Sequence, residues 1–218
     1  MSAARLILAR HGETEYNRAG RLQGQTDIDL NEAGRAQARA LARTVAALPV
    51  AERPVVLFSS PLRRALETAQ AVGDALGLAV RTDERLLERG FGIWEGLTGE
   101  EIFSGWPEDA RAWRGAGSVD PAIGLESRTA TAERYAQACR EIMAKHAGEC
   151  VMIVSHGAAT RLAIGELLGL DAEAFNGIAG LNNCHFSTLV PLRDYGQEGL
   201  MRLSSHNTAP GFGSGGEA

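Results

Sequence analysis

Three short stretches of the chain are almost wholly apolar: residues 5–9 (RLILA), 54–58 (PVVLF) and 150–154 (CVMIV). Runs of this length without polar alternation fit strands of a parallel sheet, where both faces are covered. Between them the pattern changes to a helical period. Asn31 can cap a helix running to about Leu48, with Leu41, Val45 and Leu48 on its inner face. A second helix is expected from Pro61, a favoured first-turn residue, to just before Gly77. A third spans Ser127 to Lys145, with Tyr135, Cys139 and Ile142 in register, and a fourth follows Gly157 and ends near Gly169. Residues 185–190 and 200–204 read as two late strands. Strands alternating with helices predict an α/β fold, a three-layer sandwich around a mostly parallel central sheet. Residues 97–124 lack a clear period and carry Trp106, Pro107, Trp113 and Pro121. They are expected to form an excursion over one end of the sheet within a single domain, 1–208. The Gly-rich segment 209–218 is expected to be a disordered tail.

Composition narrows the class. The 218 residues suffice for one full hydrophobic core, with 44% apolar and 22% charged residues, as in soluble globular proteins. The formal net charge of -5 argues against a nucleic-acid partner. Lys145 is the only lysine, so the basic residues are almost all Arg, the side chain that best grips phosphate oxygens in a fork. Cys139, Cys150 and Cys184 match no metal motif, and an odd count argues against a disulfide framework. They read as small buried apolar residues. No signal peptide is visible, and no apolar run approaches the roughly 20 residues that span a membrane. A cytoplasmic protein with no membrane association is the expectation. Apolar residues in the excursion leave a homodimer open.

Chemistry gathers at the strand ends. In a parallel sheet, ligands bind beyond the carboxyl ends of the strands. The first strand runs into Arg10-His11-Gly12 and the third into Ser155-His156-Gly157. Each histidine is followed by a glycine that lets the backbone turn sharply and come close to a ligand. The helix after Gly157 would point backbone N–H groups at an anion. The middle strand ends in Ser59-Ser60, with Arg63 and Arg64 in the next turn. Two arginines and two histidines converging there make a phosphate site. His146, His185 and His206 have no clustering partner and read as structural, so no zinc site is expected.

Five blocks carry a resemblance: ARHGETEYN (9–17), GRLQGQTD (20–27), SSPLRRALETA (59–69), LLERGFGIWEG (86–96) and VSHGAATR (154–161). In this order they resemble the histidine phosphatase superfamily, the phosphoglycerate-mutase-like enzymes. The resemblance implies that His11 attacks phosphorus and becomes a phosphohistidine. It implies that Arg10, Arg64 and His156 clamp the phosphoryl oxygens, that Asn17 adds a neutral donor, and that Glu88 protonates the leaving oxygen and then activates water. The family pattern selects Arg64 over Arg63, because its arginine directly precedes Ala. The spacing Glu-x-x-x-Gly to Gly92 selects Glu88 over Glu84 and Glu95. Gln23 and Gly24 are placed at the pocket, Gln23 with a turn role as the alternative, and Gly157 at the helix start facing substrate. Asn182 and Asn183 either line the mouth or shape a turn. Arg161 reads as an ion pair on its helix. The resemblance implies neither metal nor cofactor.

Within the family, Gln23-Gly24-Gln25 looks like the phosphatase branch, which includes broad-specificity, glucosyl-3-phosphoglycerate and metal-independent phosphoserine phosphatases. Leu125-Glu126-Ser127 resembles that branch's Gly-Glu-Ser block, with Leu replacing Gly. The expectation is a phosphomonoester hydrolase acting on a small phosphorylated metabolite. The alternatives are a cofactor-dependent phosphoglycerate mutase, and a non-catalytic phosphate-binding module.

Overall fold

The computed structural model describes residues 4–115, 117–192 and 199–211. Six strands form one sheet: β1 (Arg5–Arg10), β2 (Val56–Ser59), β3 (Val80–Thr82), β4 (Cys150–Ser155), β5 (Phe186–Pro191) and β6 (Met201–Thr208). Their spatial order is β3-β2-β4-β1-β5-β6. β3, β2, β4 and β1 pair in parallel, and only the β1–β5 and β5–β6 pairs are antiparallel.

The apolar runs fold as they do because alternate side chains face opposite layers. In β1, Leu6 and Leu8 join one core while Ile7 and Ala9 join the other. In β4, Val151 and Ile153 go one way, and Cys150, Met152 and Val154 the other. Helices α2 (Glu32–Ala46) and α3 (Arg63–Leu76) cover one face through Leu41, Val45, Ala65, Ala69 and Val72. Helices α6 (Arg128–Lys145) and α7 (Gly157–Leu167) cover the other through Tyr135, Cys139, Ile142, Ala163 and Ile164. This is the predicted three-layer arrangement. Each aliphatic side chain so buried contributes about 1.5–3 kcal/mol. All three cysteines are buried and unpaired, as expected of small apolar residues.

The caps behave locally. Asn31 caps α2 by accepting the Gly34 N–H at 2.8 Å, and Ser127 caps α6 through Ala130. The second helix begins at Arg63, two residues later than Pro61 suggested. Four elements had no strong pattern: β3, α1 (Glu15–Arg18), and, within the excursion, α4 (Gly99–Gly105) and α5 (Pro107–Arg114). Ile102, Ala110 and Ile123 of the excursion form an apolar cluster with Phe91 and Trp94 just before it, packed against Leu22 and Ala158. Of the expected tail, residues 212–218 lie outside the described residues. Gly211 is described, and its N–H donates to Thr44 Oγ1 at 2.9 Å.

Candidate active site

Sheet register brings the strand ends together. Arg10 pairs with Ser155, so His11 and His156 leave β1 and β4 side by side. Their rings stand 5.3 Å apart, centroid to centroid, edge to face. Ser59 pairs with Val154, which places Ser60 next to His156, and Ser60 Oγ lies 2.8 Å from His156 Nε2.

His11 is buried, with Nδ1 2.6 Å from the carbonyl oxygen of Gly12. A carbonyl only accepts, so Nδ1 carries the hydrogen and Nε2 keeps the free lone pair. Burial pushes the pKa of His11 well below the usual histidine range, and the charges of Arg64 and Arg10 push it further. The ring is therefore neutral and nucleophilic at pH 7. His156 is depressed in the same direction, first by burial and then by Arg64.

Two arginines enter this site without carboxylate partners among the described residues. Arg10 Nη1 donates to the carbonyl of Leu181 at 2.8 Å. Arg64, fully buried, donates from Nη1 to Thr26 O and from Nη2 to Gly24 O, both at 2.7 Å. Burial lowers Arg64 to about 10, so it stays charged at neutral pH. Arg63 is instead exposed and paired with Asp27 and Asp29, which leaves Arg64 as the arginine of the site. Arg10 Nε, Arg64 Nε and His156 Nδ1 are buried with no hydrogen-bond partner among the described residues. Leaving a buried polar atom unpaired costs about 1–3 kcal/mol. An acceptor oxygen brought to each of these three atoms would satisfy it.

Glu88 lies at the amino end of α7. Its Oε1 accepts the N–H groups of Ala159 (2.7 Å) and Arg89 (2.9 Å), and its Oε2 that of Ala158 (3.2 Å). The loop carrying it is held from behind. Arg134 donates to the carbonyls of Arg85, Leu87 and Glu88 and pairs with Glu126 at 2.7 Å. Ser155 Oγ donates to Leu86 O. The competing carboxylates are placed elsewhere. Glu84 is exposed, and Glu95 accepts the N–H groups of Gln25, Thr26 and Phe91.

One cavity of about 300 Å³ is lined by Arg10, His11, Asn17, Gln23, Gly24 and Arg64, and by Glu88 and Gly157 as well. His156 is fully buried against the His11 ring. Gln23 Oε1 accepts from Thr14 Oγ1 at 2.9 Å. Gly24 has φ +52°, and a Cβ there would stand 1.9 Å from Glu95 Oε1. A Cβ on Gly157 would stand 3.4 Å from Arg10 Nε, so glycine lets that guanidinium lie against the helix start.

Sequence reasoning missed several supports. Thr68 Oγ1 accepts the Gly12 N–H at 3.1 Å and so ties α3 to the His11 turn. Asn183 lies in a turn and its Nδ2 donates to His11 O and Asn17 Oδ1, while neither Asn182 nor Asn183 lines the cavity. Arg161 was expected in an ion pair on its helix. It makes none among the described residues and lines the cavity instead. A larger cavity, about 730 Å³, lies between α2 and the β5–β6 strands, and no candidate residue lines it. Among the described residues no group of three His, Cys, Asp or Glu stands together to hold a metal ion, and no helix is long and apolar enough to cross a membrane.

Comparison with known proteins agrees with this geometry. Residues 6–202 match the model of the histidine phosphatase superfamily, branch 1. The chain is 36% identical to the glucosyl-3-phosphoglycerate phosphatase of Mycolicibacterium vanbaalenii, over 87% of this chain and 85% of that protein. It is 35% identical to phosphoserine phosphatase 1 of Hydrogenobacter thermophilus, over 85% of each. A solved mycobacterial glucosyl-3-phosphoglycerate phosphatase in complex with VO3 superposes with a TM-score of 0.81 at 33% identity, covering 94% of this chain and 99% of that one.

Proposed function

The chain belongs to the histidine phosphatase superfamily, branch 1, and is a phosphoric monoester hydrolase; on that premise we propose that it cleaves small phosphorylated metabolites through a phosphohistidine on His11. One observation carries the reading: a neutral, Nδ1-anchored imidazole lines one cavity with Arg10 and Arg64 and packs on the His156 ring, and each of these three neighbours has a buried nitrogen without a partner among the described residues.

In the first step His11 Nε2 attacks phosphorus and the P–O bond to the alcohol breaks. Glu88 gives its proton to the departing oxygen, so an alcohol leaves. In the second step Glu88 takes a proton from water, the water oxygen attacks phosphorus, and the N–P bond breaks to release phosphate. Arg10, Arg64, His156 and Asn17 hold the equatorial oxygens through both steps. Phosphoryl transfer depends mainly on such positioning and charge stabilisation, with one fixed donor typically worth about 10²–10³ in rate. Gln23, Gly24 and Gly157 shape the wall around the ester. We read residues 1–208 as one domain supporting this site.

The test is phosphate release from a panel of phosphorylated sugars, acids and serine without added metal, with and without EDTA. Acid-labile phosphate on the native protein, absent from His11→Asn, supports the intermediate. Undiminished hydrolysis by His11→Asn refutes the mechanism. Interconversion of 2- and 3-phosphoglycerate faster than phosphate release would replace water with a second hydroxyl as the acceptor.

A further inference from the structure

Two polar side chains close to His11 lie outside its cavity and take no part in the steps above. Gln37, half-buried in the second turn of α2, accepts the Glu13 N–H with Oε1 at 2.8 Å. Thr68, fully buried in α3, accepts the Gly12 N–H with Oγ1 at 3.1 Å and donates to Arg64 O at 2.7 Å. Neither side chain lines the cavity.

These two N–H groups flank one carbonyl, that of Gly12, which lies 2.6 Å from His11 Nδ1. A peptide unit is planar, so holding the Glu13 N–H also fixes the direction of the Gly12 C=O at the other end of the same unit. The Gly12 N–H anchors the preceding unit. The bonds therefore run in series: His11 Nδ1–H donates to Gly12 O, and across that peptide the Glu13 N–H donates to Gln37 Oε1. Hydrogen bonds in series polarise one another, so a held Glu13 N–H makes Gly12 O the stronger acceptor. The turn is pinned at its next residue as well. Glu13 O accepts the Asn31 N–H at 3.0 Å, and Glu13 Oε1 accepts from Asn31 Nδ2 at 2.8 Å. A Cβ on Gly34 would stand 2.1 Å from Glu13 O, so glycine there lets α2 come close enough to bring Gln37 into reach.

We propose that Gln37 and Thr68 are positioning residues for the nucleophile: acting from two helices through the Gly12 main chain, they hold the carbonyl that keeps the His11 proton on Nδ1 and the lone pair on Nε2. This rests on the reading that His11 Nε2 attacks phosphorus. The imidazole is neutral before attack and becomes cationic once Nε2 is bonded to phosphorus with Nδ1 still protonated. Its bond to Gly12 O is then charge-assisted and stronger, so an acceptor held in place favours the phosphorylated ring over the free one.

The test measures kcat/KM on p-nitrophenyl phosphate against pH, together with the two ring-nitrogen shifts of His11 by two-bond ¹H–¹⁵N correlation, assigned by their absence in His11→Asn. Gln37→Met removes the acceptor at similar length, and Thr68→Val removes the hydroxyl at similar shape. Each is expected to lower kcat/KM by about three- to tenfold and to draw the His11 Nδ1 and Nε2 shifts toward each other as the second tautomer is populated. Thr68→Ser and Gln37→Glu keep the acceptor oxygen and should restore most of the rate. Gln37→Glu also adds a negative charge at the far end of the series, which favours the imidazolium and should move the acid limb of the profile upward. The other groups around His11 are the same in all four variants: Arg64 on α3, Arg10 on β1, His156 after β4, Glu88 at the cavity and Glu13 in the turn. Native rates in both Gln37→Met and Thr68→Val overturn the inference and leave the His11 chemistry standing. So does a loss of rate with the His11 nitrogen shifts unmoved, since the two side chains then support the fold alone. If Thr68→Val does not fold, Gln37→Met, at the half-buried position, decides by the same two readouts. Phosphate release undiminished in His11→Asn overturns the His11 reading and this inference with it.

Discussion

Glu88→Gln separates the proton-donor role of this side chain from its structural one. The carboxylate accepts three backbone N–H groups, two at Oε1 and one at Oε2. A glutamine can keep its oxygen at the two-bond position, but its NH₂ then faces the Ala158 N–H, donor against donor. Losing that acceptor in a buried place costs about 1–3 kcal/mol of stability. For a chain of this size each kcal/mol lowers Tm by roughly 2–4 °C. The catalytic loss is separate: removing a general acid costs about 10²–10⁴ in rate, or about 3–5 kcal/mol of barrier. It should fall unequally on substrates. An alkyl phosphate needs a proton on its leaving oxygen, whereas p-nitrophenolate departs as a stable anion. The assay is kcat/KM, which reports the steps up to His11 phosphorylation, for glycerol 3-phosphate and p-nitrophenyl phosphate at matched pH. The expected result is a loss at least about tenfold greater on the alkyl ester. Equal losses on the two substrates would show that the variant damages the site generally, and the assignment of Glu88 as acid would fail.

The depressed pKa of His11 predicts that the acid limb of the kcat/KM–pH profile lies below pH 6.5 for this group, and a limb at or above 6.5 contradicts it. The same shift has a stability consequence: below pH 6.5 unfolded histidines bind protons that buried His11 and His156 do not. Stability should therefore fall as pH drops through that window, by about 1.4 kcal/mol per pH unit for each histidine, readable as urea midpoints from pH 7 to 5. Gly24→Ala forces a Cβ into φ +52° and against Glu95, and it displaces the carbonyl that holds Arg64. Thermal unfolding should show a loss of about 1–3 kcal/mol, with a reduced kcat/KM. Arg134→Met removes three bonds to the Glu88 loop and should reproduce the leaving-group dependence of Glu88→Gln in weaker form, partly rescued by Arg134→Lys. Burial pushes the thiol of Cys184 up to about 12 and that of Cys150 to about 11, so N-ethylmaleimide at pH 7.5 should leave the native enzyme active.

The strands and the principal helices were legible because their apolar period is strong and their caps are local: Asn31 and Ser127 do what isolated sequence says they should. β3 escaped because it has three residues at a sheet edge and buries none of them fully. The short helices α1 and α4 left a signal that a stricter reading would have caught. Thr14 with Asn17 and Thr98 with Glu101 each form a capping box. The ion pair expected of Arg161 fails on its own spacing: residues 157, 158, 164 and 165 are Gly, Ala, Ile and Gly, so no acid sits three or four positions away. The roles of Thr68, Arg134 and Asn183 were not legible. Each depends on which strand lies beside which, and the pairing of β4 with β1 and β2 decides that.

The electrostatics of the site follow from one choice of partners. Arg10 and Arg64 could have been buried against carboxylates, and their desolvation would then have been offset by ion pairs. They are held instead by the carbonyls of Leu181, Thr26 and Gly24. A peptide carbonyl stabilises a guanidinium by its dipole without adding a full negative charge, so nothing must be displaced before a phosphate enters. Burial first, and then this unspent positive charge, lowers the pKa of the two imidazoles and keeps both neutral. The carboxylates of the neighbourhood are assigned elsewhere: Glu95 fastens the 23–26 turn and Glu126 fastens Arg134. Among the described residues Glu88 is the one carboxylate that lines the cavity, and main-chain N–H donors hold it there. The loops at residues 23–26 and 181 therefore matter to the chemistry through their backbone, and substitutions there should move activity wherever they tilt those carbonyls, whatever side chain they introduce.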